Sequence, residues 1–275
     1  MANDRTTENH VYTEIRLNRK QAARWVCRIG IPAVIIASVF CPEGIWIWLL
    51  VLLAAFQVTK YQGSAVMLAG AAGEDRVLAA LSALPAEYTL FNQIRLPDER
   101  SRTGFREGDF VVVGNNVVFI IENKDYRGEI HGDGTAANWE LNKIGIGGTP
   151  YTKSCRNPVR QVRVYVALLS RLFAMYGIKV RITPLVSLSR NNSLAGISSP
   201  RVPVMRVDEL CGNILAHKGT LSDGNMEKAI GLLEELRSCA FKEPSDSSIA
   251  FPVADCQSIP ENNNKSTCLL FHAVR

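Results

Sequence analysis

No CxxC pair occurs in this sequence, although seven cysteines (Cys27, Cys41, Cys155, Cys211, Cys239, Cys256, Cys268) are scattered along it. An odd, dispersed set argues against a disulfide framework and fits a reducing compartment. Cys268 and His272 have the spacing of a zinc half-site, but no second close pair accompanies them, which speaks against structural zinc. The glycine-rich run 145–148 lacks the Lys-Ser/Thr that follows a phosphate-binding loop. Internal repeats are absent. The most informative deficit is of negative charge. Between Leu141 and Val207 there is no acidic residue, while Lys143, Lys153, Arg156, Arg160, Arg163, Arg171, Lys179, Arg181, Arg190, Arg201 and Arg206 accumulate. The formal net charge of +5 conceals this asymmetry. Such a segment attracts polyanions, and charge alone leaves nucleic acid and anionic lipid headgroups as equal partners.

The chain is also short of unambiguous membrane spans. A polar, aperiodic segment (1–21) comes first, and Arg16, Arg19, Lys20, Arg24 and Arg28 then lead into two apolar runs, Ile29–Cys41 and Ile45–Val58, split by Pro42-Glu43-Gly44. Neither run reaches the about 20 residues of a full span, but Trp25–Cys41 and Gly44–Tyr61 come close if Arg28 extends to the interface. The expectation is a transmembrane helical hairpin over 22–61, with a re-entrant or interfacial hairpin as its rival. The turn carries no Lys or Arg and both outer flanks are basic, so the positive-inside rule expects both termini in the cytoplasm of a bacterial inner membrane, with lipid as one partner.

At 275 residues and 47% hydrophobic, the rest suffices for one core. Periodicity predicts a helix over Gly70–Leu84, with Val77, Leu78, Leu81 and Leu84 on one stripe, and strands over Tyr88–Leu96, Asp109–Val113 and Val117–Lys124. Short segments around Glu129–His131 and Trp139–Leu141 follow. Asn157-Pro158 is a helix start for a segment ending at Gly177, and Lys179–Leu188 is a further strand. A small helical extension (200–240) precedes a tail over 242–275 whose Ser, Pro and Asn content predicts disorder. The sum is a soluble α/β domain.

The chemistry concentrates in one hairpin. Asn115-Asn116 between two β-branched runs suits a two-residue turn. That register pairs Gly114 with Val117 and Val113 with Val118, and it sets Asp109 opposite Glu122 with Lys124 on the same face. Two facing carboxylates on an apolar hairpin repel each other and call for a cation. A hard divalent ion, Mg²⁺ or Mn²⁺, could be held by Asp109, Glu122 and the backbone carbonyl of Asn123, leaving positions for water and phosphate. Lys124 would then orient or help deprotonate the attacking water and balance transition-state charge. Taken alone, the same three residues are better read as a strand-end salt bridge, with Lys124 neutralising either acid at the sheet edge. Glu74 shares the core-facing stripe of its helix, where an unpaired carboxylate is costly. Gln161 and Tyr165, four apart, share one helix face, with Arg160 and Arg163 on neighbouring faces.

Gly73-Glu74, Leu84-Pro85, Asn92, Leu96-Pro97, Gly108-Asp109, Ile121-Glu122-Asn123-Lys124 with Tyr126 and Gly128, Trp139, and Asn157-Pro158 with Gln161 follow one another as in the NERD family, the nuclease-related domain, which resembles the PD-(D/E)xK nucleases. Phe110 stands where that family commonly has His. The resemblance, placed over 68–190, implies a restriction-endonuclease-like core and a DNA-hydrolysing, metal-dependent activity. It implies catalytic roles for Glu74, Asp109, Glu122, Lys124 and Gln161, with Asp109, Glu122 and Asn123 at the metal. Nucleic acid would meet Arg156, Arg160, Arg163 and Tyr165. A catalytically weak module that binds nucleic acid or a partner as a scaffold is the competing expectation.

Overall fold

The computed structural model describes residues 1–6, 67–145, 147–190, 192–219 and 222–240, with single positions between 12 and 53. The expected membrane hairpin and the expected tail therefore lie outside the described residues. Among the described residues no helix is long and apolar enough to cross a membrane.

Among the described residues there are ten strands: β1 (Asn3–Asp4), β2 (Thr89–Pro97), β3 (Phe105–Gly114), β4 (Val117–Lys124), β5 (Glu129–Asp133), β6 (Asn138–Ile144), β7 (Pro150–Arg156), β8 (Ile182–Leu188), β9 (Ile197–Ser198) and β10 (Val204–Arg206). Helix α1 is described over 67–81; α2 is Pro158–Met175, α3 Val207–Ala216 and α4 Asp223–Ala240. A six-stranded sheet runs β1-β2-β3-β4-β8-β10, and a four-stranded one runs β7-β6-β5-β9. β2, β3 and β4 are antiparallel neighbours, whereas β4, β8 and β10 are parallel.

Strand periodicity explains the layering. Val111, Val113, Val118 and Ile120 face one core cluster with Val162, Leu169 and Phe173 of α2 and Leu233 and Leu236 of α4. Phe110, Val112, Phe119 and Ile121 face the other, with Val77 and Leu81 of α1 and Leu210 and Ile214 of α3. Seven of the eight β4 residues are buried, which is why this central strand reads as an unbroken aliphatic run. Mixed α/β architecture with helices on both faces of the sheet is thus realised.

The expected hairpin register is present, Gly114 opposite Val117 and Val113 opposite Val118. Its turn residues Asn115 and Asn116 take φ of 49° and 61°, the left-handed values a tight hairpin requires. Helix α2 begins as its sequence indicates: the Asn157 side chain accepts from the Val159 N–H at 2.9 Å, and the same amide donates to the carbonyls of Asp133 and Ala136. Gly177, at φ 68°, ends it.

Three features differ from expectation. β7 is a strand that periodicity does not predict, because six of its seven residues are exposed and no burial period marks them. The aperiodic start contributes β1, an edge strand made by backbone pairing with Thr89 and Leu90. The C-terminal helices are no appendage, since α3 and α4 supply side chains to both core clusters and β10 extends the main sheet.

Candidate active site

β3 parts from β4 where the chemistry begins. Their ladder ends at Phe110 opposite Ile121, one pair short of the expected facing of Asp109 and Glu122. Instead, Asp109 Oδ2 accepts the backbone N–H of Asn123 at 2.7 Å. The β2–β3 ladder is interrupted at the same level. Asn92 pairs with Phe110 and Ile94 with Gly108, but Gln93 between them takes φ 52° and is skipped by the ladder's register. Phe91 and Ile94, three apart, consequently both face the same core cluster. The Gln93 side chain donates from Nε2 to Glu74 Oε2 at 3.2 Å, tying α1 to this break.

Glu122 is 1% exposed. Its Oε1 receives Lys124 Nζ at 2.5 Å, while its Oε2 is buried with no hydrogen-bond partner. Burial, then the charge of Asp109, push Glu122 up to about 8 against the pull of Lys124. Asp109 is likewise raised, chiefly by burial, with Lys124 and the Asn123 N–H opposing. Burial alone would lower Lys124, but Glu122 and Asp109 outweigh it and hold the ammonium above its ordinary value. The charge of Glu74 reaches both Glu122 and Lys124. Helix α1 and strands β3 and β4 therefore bring Glu74, Asp109, Glu122 and Lys124 within one electrostatic neighbourhood. The strand-end ion pair exists, yet three carboxylates share it with one ammonium, so it does not neutralise the cluster.

Helix α2 covers this site from the other side. The half-buried Tyr165 is raised by burial and then by Glu122 and Asp109, so its ring stands close to both acids. A side chain at Gly108 would meet it, since a Cβ there falls 3.9 Å from Tyr165 Cγ. Gln161, one turn earlier on the same face, carries a buried Oε1 with no partner. Arg156, Arg160 and Arg163 are exposed. The main chain of Asn123 meets Asp109, whereas its side chain belongs to the opposite face of β4, in register with Ser187.

Four contributions escaped sequence reasoning. Gln93 is one; only a backbone angle marks it. Asp125 is another: its nearly buried carboxylate takes Arg190 Nε at 3.0 Å and Nη2 at 2.7 Å, Ser189 Oγ at 2.8 Å, and Nη2 of Arg76. Arg76 Nε also reaches the Ser189 carbonyl at 3.0 Å. This knot fastens α1, which bears Glu74, to the ends of β4 and β8. Gly73 permits the approach, because a Cβ there would lie 2.9 Å from Asp125 Cβ. The third and fourth are Arg190, engaged with Asp125, and Tyr126, whose hydroxyl donates to the Arg156 carbonyl at 3.3 Å and whose titration is raised by burial first and by Glu122 among its further causes. Arg190 therefore leaves the set of cations open to a polyanion, as does Arg206, paired with Asp208 and Glu209 at the start of α3.

Two hard carboxylates raised by burial, Glu122 also by the charge of Asp109 and bearing a buried oxygen without a partner, fit a divalent cation that takes one or two carboxylates and keeps its waters. No group of three or more His, Cys, Asp or Glu poised to hold a metal occurs among the described residues.

Residues 69–189 match the family model of the nuclease-related domain, NERD. No curated protein and no solved structure matches the chain.

Proposed function

From a nuclease-related domain with this cluster at its centre, we propose a metal-dependent nuclease that hydrolyses phosphodiester bonds in DNA. The observation that carries the reading is the buried Glu122 oxygen left without a partner beside Asp109, in a cluster of three carboxylates and one lysine. Asp109 and Glu122 are the residues that would hold Mg²⁺ or Mn²⁺, with the Asn123 main chain beside them. The bound ion would supply charge neutralisation for the phosphate and lower the pKa of water. Lys124, kept charged by its two acidic neighbours, serves to orient the attacking water and offset charge on the phosphate rather than to remove a proton. Glu74, held by Gln93, and Gln161 with Tyr165 on α2 line the space around them. The chain's two N-terminal apolar runs and their basic flanks support a membrane tether that leaves this domain in the cytoplasm.

One observation favours a second reading, a catalytically weak scaffold for nucleic acid or a partner: the described residues offer no three-membered metal cluster. A single experiment separates the two. Mg²⁺ should raise the melting temperature of the purified chain by mass action and support nicking of plasmid DNA. Asp109→Ala should abolish both. Lys124→Ala should keep the thermal shift and lose nicking by about 10²-fold or more. Nicking that survives Lys124→Ala unchanged refutes the role given to the lysine, and absence of both nicking and thermal shift in the natural chain leaves the scaffold.

A further inference from the structure

β7 runs into α2 through the single residue Asn157, so the exposed strand and the exposed face of the helix form one continuous path. In the β6–β7 register Leu141 faces Lys153 and Lys143 faces Tyr151, and these pairs, two residues apart, share a face of the hairpin. Glu140, the only acid of the two strands, pairs with Ser154 on the other face. Lys143, Tyr151 and Lys153 share that face, Arg156 falls on the other by the strand period, and Arg160 and Arg163 follow on α2; Tyr151 is 50% exposed, and Ile144 near the hairpin tip is 77% exposed. The contour from Tyr151 to Arg163 is about 20 Å of strand and about 10 Å of helix, comparable with one duplex turn of about 34 Å. The junction of β7 and α2 lies beside the end of β4, because Tyr126, two residues beyond that strand, donates to the Arg156 carbonyl at 3.3 Å.

We propose that the β6–β7 hairpin is a DNA-backbone clamp, with Lys143 and Lys153 binding phosphates and Tyr151 packing between them, which extends the basic face of α2 away from the catalytic cluster. The inference rests on the nuclease reading and names how that site takes its substrate. Charge restricts the occupant to a polyanion, and the match to the nuclease-related domain selects DNA over lipid. The path lies wholly within the stretch free of acidic residues, and an aromatic side chain set between lysines suits a strand of phosphates and sugars better than an apolar partner.

The test is fluorescence anisotropy of the full chain with a short duplex DNA in EDTA, across a salt series. The natural chain binds with a steep salt slope. Lys143→Ala with Lys153→Ala reduces the magnitude of that slope by about 1.8, since each phosphate no longer neutralised removes about 0.9. Tyr151→Ala weakens binding severalfold and leaves the slope unchanged. Because these side chains are at or near the surface, the melting temperatures of the variants stay at that of the natural chain, which separates weakened DNA binding from impaired folding. A double variant with an undiminished slope overturns the clamp while leaving the nuclease reading standing. If that variant instead loses adsorption to phosphatidylglycerol vesicles, the lysines serve lipid and the clamp is equally overturned. A natural chain that binds no DNA at all overturns the nuclease reading together with the clamp.

Discussion

Glu122 makes the stability of this protein depend on pH in the direction opposite to that of an ordinary surface carboxylate. Its ordinary value is 4.5 and the fold pushes it up to about 8. Between those values the native state binds more protons than the unfolded state, so stability is greatest at the acidic end and falls as pH rises. From pH about 5 to pH about 8 the loss from this one group comes to about 3 kcal/mol. For a domain of this size that lowers the melting temperature by roughly 6–12 °C. Asp109, also raised, acts in the same direction. Asp98 and Asp133 are lowered, by Arg106 and by Thr135 respectively, and their contributions change only at more acidic pH. Lys124 is raised and changes only in the alkaline range. The perturbation is Glu122→Gln, which keeps the shape and removes the charge. In EDTA the natural chain should melt at progressively lower temperature from pH about 5 to pH about 8, and the variant should lose most of that dependence. Mg²⁺ should flatten the curve of the natural chain by favouring the ionised carboxylates, and should do little for the variant. The assay is circular-dichroism melting at each pH with and without the ion. A natural chain whose melting temperature is flat or rising across this window, or a variant that falls as steeply, refutes the reasoning.

Gln93 sits at φ 52°, where a side chain costs about 1 kcal/mol or more and glycine costs little. Gln93→Ala should therefore destabilise the chain by about 1 kcal/mol, through the Glu74 hydrogen bond removed with the strain unrelieved, whereas in Gln93→Gly relief of the strain offsets that loss and leaves stability close to that of the natural chain; equal losses in urea unfolding would show that the backbone there is relaxed. For the tether, reporter fusions at Thr59 and at the C-terminus should both report cytoplasm, and a periplasmic signal from either contradicts the two-span arrangement.

The β3–β4 hairpin was legible in the sequence because its signals are local. Asn115-Asn116 sets the turn, the turn sets the register, and the period of two then assigns faces to Val113, Val118, Ile120 and Glu122. The start of α2 at Asn157-Pro158 is local in the same sense, as a cap acts within two residues. The order of landmarks from Gly73-Glu74 to Gln161 carried the family resemblance. What the register could not foresee is where the ladder stops. β3 leaves β4 at Asp109 because the carboxylate takes the Asn123 N–H, and β2 breaks at Gln93 where its amide reaches Glu74. The first is a side-chain contact within the hairpin that the strand period does not encode, and the second needs α1 packed against β2. The knot of Asp125 with Arg76, Ser189 and Arg190 has the same character: it needs α1, β4 and β8 already packed, and no spacing rule links residues 76, 125 and 190. The sequence by itself determined which residues could carry charge and chemistry, and which strands bear them. Tertiary structure alone decided that three carboxylates share one lysine, that Lys124 stays charged, and that Arg190 is held by Asp125. Burial and long-range charge set those outcomes, and neither exists until the chain is packed.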